Sequence, residues 1–107
     1  MPRQLADREK QFLKILGADP TINSGATFSD GDGVMHGKES GDYAVEVKST
    51  DAKSFSIKLD TWKKIKKQAN RIHQTPLLAV DIQKTQLIVL ELNEFIMLWE
   101  YYNHADY

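Results

Sequence analysis

One triplet in the sequence places a carboxylate and an ammonium group two residues apart on a predicted strand. Glu46, Val47 and Lys48 lie within DYAVEVKST, in which apolar and polar residues alternate. Residues two apart on a strand share a face, so the Glu46 and Lys48 side chains lie side by side. As an exposed pair they would contribute about 0–1 kcal/mol and have no further role. A catalytic role requires a second carboxylate on the same face.

The acidic loop that precedes this strand can supply the second carboxylate. Asp30 and Asp32 lie in SDGDGV, and two converging carboxylates form a hard-oxygen site suited to Mg²⁺ or Mn²⁺. A neighbouring lysine, here Lys48, can then orient or deprotonate an attacking water or hold charge on a scissile phosphate. Asp42 is a third candidate, but it lies at the beginning of the strand, four residues before Glu46, where we expect it to have the wrong reach.

The first predicted helix, from about Arg3 to Leu16, carries a carboxylate among its apolar residues. Its apolar stripe is formed by Leu5, Phe12, Leu13 and Leu16. Glu9 falls on that stripe, and burying a carboxylate costs several kcal/mol unless it is paired or bound to a metal. Glu9 is therefore either a functional acidic residue or a stripe-edge side chain that extends to water.

The rest of the pattern predicts an α/β domain. Residues 18–41 are rich in Gly, Ser, Asp and Asn, which predicts a loop with at most one short strand. FSIKL repeats the apolar–polar alternation, so we expect it to pair with DYAVEVKST as a hairpin across Thr50–Ser54. A helix that is capped by Asp60 or Thr61 then runs to about His73, with Trp62 in its buried stripe.

Two more strands and a last helix complete the predicted fold. TPLLAVDI reads as a buried strand, QLIVLEL follows it after a Lys84–Thr85 turn, and Asn93 caps EFIMLWEYY. The predicted order is α-β-β-β-α-β-β-α, a small mixed sheet flanked by helices in a single domain over residues 1–107. The aromatic residues of the last helix either pack on the sheet or form a dimer contact.

Basic residues are concentrated in one part of the chain. Residues 53–71 carry seven basic groups and one acidic group, whereas residues 1–52 and 72–107 are both net acidic. The overall charge of −1 argues against a general nucleic-acid coat, but a local basic block suits one polyanion-facing surface. The alternative is a solvated helix face. The candidate phosphate contacts are Lys53, Lys58, Lys63, Lys64, Lys66, Lys67 and Arg71.

Composition excludes several classes of protein. The chain has 107 residues and no cysteine, which excludes disulfides, thiolate zinc sites and cysteine nucleophiles. Its longest apolar runs are too short to cross a bilayer, and MPRQLADREKQF lacks the apolar stretch of a secretory signal. We therefore expect a cytoplasmic protein that has no membrane partner.

Several motifs together resemble the PD-(D/E)xK nuclease superfamily. SGA at 24–26, GD at 31–32 and AVEVKST at 44–50 are similar in order and spacing to archaeal and phage-type Holliday junction resolvases. The resemblance covers roughly residues 5–92. It implies a restriction-endonuclease-like core and a structure-selective endonuclease that uses Mg²⁺, with Mn²⁺ as a substitute. It also implies hydrolysis at four-way DNA junctions, a homodimer and a phage origin.

The resemblance assigns roles to the residues of the predicted site. Asp32 and Glu46 would ligate the metal together with the backbone carbonyl of Val47, and Lys48 would act on the water or phosphate. The family's proline is replaced by glycine here. A further glycine follows Asp32 where an apolar residue is expected, so Asp30 stays the alternative ligand.

Three more residues match positions of the family outside this motif. Glu9 matches the acidic residue of the first helix and would join the metal site. Ser24 matches a loop serine that contacts the scissile region, and Gln68 matches a supporting glutamine on the second helix. Two alternatives stay open, a nicking or repair-type nuclease of the same fold and a non-catalytic DNA-binding module.

Overall fold

Three helices and five strands form a mixed α/β structure in the computed structural model, which describes residues 3–21, 32–37 and 41–104. The helices are α1 (Arg3–Leu16), α2 (Leu59–Arg71) and α3 (Leu92–His104). The strands are β1 (Asp19–Pro20), β2 (Gly33–Met35), β3 (Tyr43–Thr50), β4 (Thr75–Ile82) and β5 (Thr85–Val89). The predicted α/β class with a mixed sheet and flanking helices is confirmed.

The five strands form one sheet in the order β1-β2-β3-β4-β5. All neighbouring strands are antiparallel except β3 and β4, which are parallel and are joined through α2. A parallel pair needs such a crossover, whereas β4 and β5 are joined by a tight turn. Gln83 and Lys84 form that turn with φ angles of 48° and 72°, as a two-residue hairpin turn requires.

The core lies between α1 and one face of β3 and β4. Phe12 of α1 packs with alternate residues of β3, including Val45 and Val47, and with Leu77 and Ala79 of β4. The intervening residues of β3 point to the opposite face because side chains alternate along a strand. That face is covered by α2, whose buried residue is Ala69. The core face of β3 therefore packs against α1, and the opposite face carries the side chains of Glu46 and Lys48.

A glycine permits the close approach of α1 and β1 to β2. A Cβ atom on Gly33 would lie 2.9 Å from Leu13 Cδ2 and 3.0 Å from the backbone oxygen of Asp19, closer than packed atoms allow. An apolar side chain was expected at this position. Packing against Leu13 and Asp19 therefore explains why a glycine directly follows Asp32.

The predicted FSIKL strand is wrong. Residues 54–58 form no strand and no hairpin across Thr50–Ser54, but connect β3 to α2, with Phe55 half-buried and Ile57 exposed. The physical reason is that β4 takes one edge of β3, while β2 takes only the start of the other edge and the carboxylates of Asp32 and Glu9 accept its amides beyond Val45. The alternation identified residues that suit a strand, but it could not show that the backbone amides of β3 already have other partners.

The predicted order α-β-β-β-α-β-β-α is observed, with a different set of first strands. β1 and β2 both lie in the region predicted as a loop with at most one short strand, and all three early strands end by Thr50. The cap residues also differ, because α2 begins at Leu59 after Lys58, which makes no side-chain cap hydrogen bond. α3 begins at Leu92, before the predicted cap Asn93. β5 is correspondingly shorter than predicted and ends at Val89.

Candidate functional site

The candidate site lies along the edge of β3, where β2 no longer pairs with it. β2 pairs with β3 only as far as Val45, whose backbone oxygen accepts the N–H of Asp32 at 2.9 Å. Beyond that point the Val47 N–H donates to Asp32 Oδ2 at 2.8 Å, and the Ser49 N–H donates to Glu9 Oε2 at 3.0 Å. Carboxylates from two separate elements therefore replace a neighbouring strand along this edge.

Glu46 and Lys48 lie on the same strand and face the side of the sheet that α2 covers. Lys48 Nζ is 3.4 Å from Glu46 Oε1, so the predicted side-by-side placement is observed. The Lys48 side chain is 47% exposed and that of Glu46 is 22% exposed. The ammonium group is thus open to an incoming anion, while the carboxylate beside it is largely shielded from water.

The carboxylates of the site influence one another. Burial raises the pKa of Glu46, the negative charge of Asp32 raises it further, and Lys48 opposes both effects. Burial also raises the pKa of Glu9, as does Asp32, whereas the Ser49 N–H lowers it. Asp32 perturbs both glutamates, so the three carboxylates lie in one electrostatic neighbourhood. The excess of negative charge over the single ammonium group favours binding of a cation.

The oxygen atoms at this edge are of the type that Mg²⁺ takes as ligands. A residue in a strand directs its N–H and C=O to the same neighbour, so the Val47 carbonyl points to the edge where Asp32 accepts the Val47 N–H. Within residues 3–21, 32–37 and 41–104, no three Asp, Glu or His side chains are arranged to hold a metal by themselves. Mg²⁺ needs fewer, because it uses one or two carboxylates and keeps several waters. Asp32, Glu46 and the Val47 carbonyl match that requirement.

The other predicted site residues lie either outside the described part of the chain or away from this edge. Ser24 and Asp30 lie outside the described residues. Asp42 lies at the opposite end of β3 from this site, in line with the expectation that it has the wrong reach. There its Oδ2 is 3.4 Å from His36 Nδ1, and its backbone oxygen accepts the N–H of Thr75. Asp32 is therefore the described loop carboxylate that reaches the Glu46 side of the strand.

A buried ion pair beside the site was not predicted from the sequence. Arg8 donates to Asp81 Oδ1 at 2.6 Å and to the backbone oxygen of Thr50 at 3.2 Å, and it also pairs with Asp51. Asp81 is only 2% exposed. Since Arg8 directly precedes Glu9, this pair fixes α1 over the ends of β3 and β4. The available signal was an aspartate in the apolar run of β4, which requires a cationic or hydrogen-bonding partner.

The basic residues of α2 divide into two groups. With 3.6 residues per turn, four of them lie opposite the Ala69 side that packs on the sheet. These four are Lys63, Lys64, Lys67 and Arg71, and all are exposed. Lys66 differs, because its ammonium group pairs with Glu91 at 3.0 Å, next to the hydrogen bond from Trp62 Nε1 to the same carboxylate.

Three further predicted contacts lie near α2. Lys53 and Lys58 are exposed in the segment between β3 and α2, and Gln68 is half-buried on the helix next to Ala69. Trp62 is half-buried, whereas the helical pattern placed it in the buried stripe, and its ring nitrogen donates to Glu91. The exposed basic groups therefore form a band from the β3–α2 connection along the outer side of the helix.

No family model and no curated protein matches the chain. Among the helices in the described part of the chain, none combines the length and the apolar character that crossing a bilayer requires.

Proposed function

We propose that the chain is a Mg²⁺-dependent DNA endonuclease that hydrolyses phosphodiester bonds, with four-way junctions as its preferred substrate. The observation that carries the proposal is the edge of β3. There the carboxylates of Asp32 and Glu9 accept hydrogen bonds from backbone N–H groups beside the Glu46–Lys48 pair. A restriction-endonuclease-like core is part of the proposal. The parallel β3–β4 pair, with α2 between the strands and α1 packed on the sheet, supports it.

Asp32, Glu46 and the Val47 carbonyl would hold the metal. When bound, Mg²⁺ supplies positive charge that polarises a phosphodiester and stabilises the charge that develops during hydrolysis. The hydrogen bond from the Val47 N–H fixes the Asp32 carboxylate against the strand. Glu46 lies on the strand itself, and the charge of Asp32 raises the pKa of Glu46, which supports a shared site for the two carboxylates.

Lys48 and Glu9 complete the site from opposite directions. The Lys48 ammonium group is open to solvent beside Glu46, where it can contact the scissile phosphate or move a proton at the attacking water. Glu9 accepts the Ser49 N–H, which places a third carboxylate on the α1 side of the same edge. Burial and then the charge of Asp32 raise the pKa of Glu9, so it keeps its proton to a higher pH than an exposed glutamate does.

The basic band would bind the DNA backbone. Lys63, Lys64, Lys67 and Arg71 form one exposed side of α2, which is continued by Lys53 and Lys58. Contacts to phosphates position a duplex without reading its bases, which suits recognition of a branched shape. Ion pairing with Glu91 makes Lys66 the weakest member of this group.

A non-catalytic DNA-binding module is a second candidate, because the basic band alone would support it. The two are separated by incubating a labelled four-way junction and the matching linear duplex with the protein, with and without Mg²⁺. The proposal predicts symmetric nicks that require metal and favour the junction. Equal nicking of the duplex would indicate a nicking or repair-type nuclease. Tight binding with no cleavage under Mg²⁺ or Mn²⁺ would overturn the catalytic proposal and support the binding module.

A further inference from the structure

The outer side of β5 is an open edge of the sheet. Within the part of the chain that the structure describes, β4 pairs with the inner side of β5 and no strand lies beyond it. Because a two-residue turn joins the two strands, Ile82 and Thr85 form a hydrogen-bonded pair, and such pairs recur at every second residue. The backbone groups of Leu87 therefore point to β4, whereas those of Gln86 and Ile88 point away from it. We define the outer edge of β5 as the N–H and C=O groups of these last two residues.

The two edge strands of the sheet differ in how they are protected from a further strand. At the opposite edge, β1 has only two residues, and these are an aspartate and a proline, Asp19 and Pro20. A short strand, a charge and a residue without an N–H group are features that prevent pairing at an edge. β5 has five residues, TQLIV, with no charge and no proline. The sequence therefore blocks strand addition at β1 and permits it at β5.

An apolar groove lies beside the outer edge of β5. The groove has a volume of about 530 Å³ between β5 and the start of α3, and it is lined by Ile88, Leu90, Leu92 and Phe95. Ile88, Leu92 and Phe95 are 45%, 71% and 53% exposed. Side chains of an added strand would alternate between the two faces of the sheet, so every second one would face the groove. Apolar side chains at those positions would remove this exposed surface from water.

Charge around the groove indicates the chemistry of its occupant. Residues 85–104 contain Glu91, Glu94 and Glu100 but no Lys or Arg, and Glu91 and Glu94 each adjoin a groove residue in the chain. This composition repels nucleic acid and an anionic bilayer, both of which need cations at the contact. A second copy of the chain would bring the same three carboxylates to the contact. A basic segment of a different protein supplies the opposite charge.

We propose that the outer edge of β5 binds an extended segment of a different protein, which adds to the sheet as a sixth strand. The backbone groups of Gln86 and Ile88 pair with the segment, as in other proteins that bind a peptide at a sheet edge. The segment places apolar side chains in the groove and carries Lys or Arg beside Glu94. β4 separates β5 from the candidate site on β3, so the proposal does not depend on the nuclease chemistry.

Fluorescence anisotropy with labelled peptides tests the proposal. The probes are the basic peptide Arg-Val-Thr-Val-Thr-Val-Lys and the acidic peptide Glu-Val-Thr-Val-Thr-Val-Glu. The wild type is expected to bind the basic peptide at least about 10-fold more tightly than the acidic one, and Glu94→Lys should reverse this preference. Glu94 is chosen because Glu91 also pairs with Lys66. The basic peptide with N-methylated internal amides should not bind, because it cannot pair as a strand.

Gln86→Pro tests the backbone pairing itself, with Gln86→Ala as the matched control. Proline removes an N–H group that points away from β4, so the variant should keep its fold, which circular dichroism verifies. Gln86→Pro is expected to weaken binding of the basic peptide at least about 10-fold, whereas Gln86→Ala keeps the N–H group and should bind as the wild type does. A wild type that does not bind the basic peptide, or a proline variant that binds it as well as the alanine variant, would overturn the proposal.

Amide hydrogen exchange locates the bound peptide. In the free protein the amides of Gln86 and Ile88 should exchange faster than that of Leu87, which donates to β4, and the basic peptide should slow the exchange of these two. Unchanged exchange at both amides under saturating peptide would overturn the proposal. Sedimentation velocity without peptide checks the other occupant of this edge. A wild-type dimer that Gln86→Pro converts to a monomer would assign the edge to a second copy and overturn the proposal as well.

Discussion

The carboxylate of Asp32 accepts a hydrogen bond from the backbone N–H of Val47 at 2.8 Å, at the point where β2 stops pairing with β3. Asp32 thus has two separable roles in this account. It satisfies an amide at a strand edge, and it supplies negative charge to the proposed metal site. Glu9 acts in the same way at a point two residues further along β3, where its carboxylate accepts the N–H of Ser49.

Asp32→Asn should separate these two roles. The amide oxygen of asparagine can still accept the Val47 N–H, so the free energy of unfolding should stay close to that of the wild type. Metal-dependent cleavage should be lost because the charge is gone. Asp32→Ala should lose cleavage and also about 1–2 kcal/mol of stability, because the hydrogen bond is removed. Urea denaturation with EDTA, beside a cleavage assay, measures both. Equal stability of the Asn and Ala variants would contradict a structural role for this hydrogen bond.

Glu46→Gln should stabilise the metal-free protein at neutral pH. The folded state raises the pKa of Glu46, chiefly by burial and then by the charge of Asp32. A raised carboxyl pKa favours folding when the group is protonated, and this contribution is lost as the pH rises through the folded-state pKa. The advantage of Glu46→Gln over the wild type should therefore be small near pH 4 and grow towards pH 7.

Urea denaturation at both pH values in EDTA measures this advantage, with Glu100→Gln on α3 as an exposed control. The same substitution should reduce the increase in melting temperature that Mg²⁺ or Mn²⁺ causes in the wild type. An advantage that shrinks as the pH rises would contradict the assigned cause of the pKa shift.

Replacing Arg8 alone should destabilise the fold more than replacing both Arg8 and Asp81. Arg8→Met leaves the buried Asp81 carboxylate without its cation, which typically costs about 3–5 kcal/mol. Arg8→Met with Asp81→Leu removes both charges and should recover most of that loss. Arg71→Met on the exposed side of α2 is the control. If the double variant is no more stable than Arg8→Met in chemical denaturation, loss of the Arg8–Asp81 interaction is not the cause of the lower stability of Arg8→Met.

The exposed lysines of α2 should set the salt dependence of DNA binding. Each lysine that neutralises a phosphate contributes roughly 0.9 to the slope of log K against log salt, so Lys63→Gln with Lys67→Gln should lower the slope by about 2. Lys84→Gln, in the β4–β5 turn, is the matched control. Fluorescence anisotropy of a labelled junction at several salt concentrations gives the slopes. An unchanged slope in the double variant would place the DNA elsewhere.

The parts of the fold that depend on local pattern could be predicted. Alternation placed Glu46 and Lys48 on one face of a strand, and helical spacing identified α1 from Arg3 to Leu16 and the odd position of Glu9. The amide that Glu9 accepts, Ser49 N–H, lies 40 residues away and has no sequence signal. Pattern shows which side of an element a residue occupies, but not which residue it meets.

The parts that failed depend on tertiary pairing. FSIKL has the alternation of a strand, but β4 takes one edge of β3, and β2 with the carboxylates of Asp32 and Glu9 takes the other. Arg8 and Asp81 are 73 residues apart, and their contact depends on the packing of α1 over β3 and β4, which neither segment alone could show. The unexpected Gly33 is explained only by the close approach of Leu13 and Asp19.

The central claim is that the edge of β3 catalyses metal-dependent phosphodiester hydrolysis. Single-turnover cleavage of a labelled four-way junction in Mg²⁺ tests it most directly, with the wild type beside Glu46→Gln, Lys48→Met and the exposed control Lys84→Met. We expect cleavage that EDTA abolishes, that falls at least about 100-fold in both site variants and that is unchanged in the control. Cleavage that survives EDTA, or that both site variants retain, would contradict it.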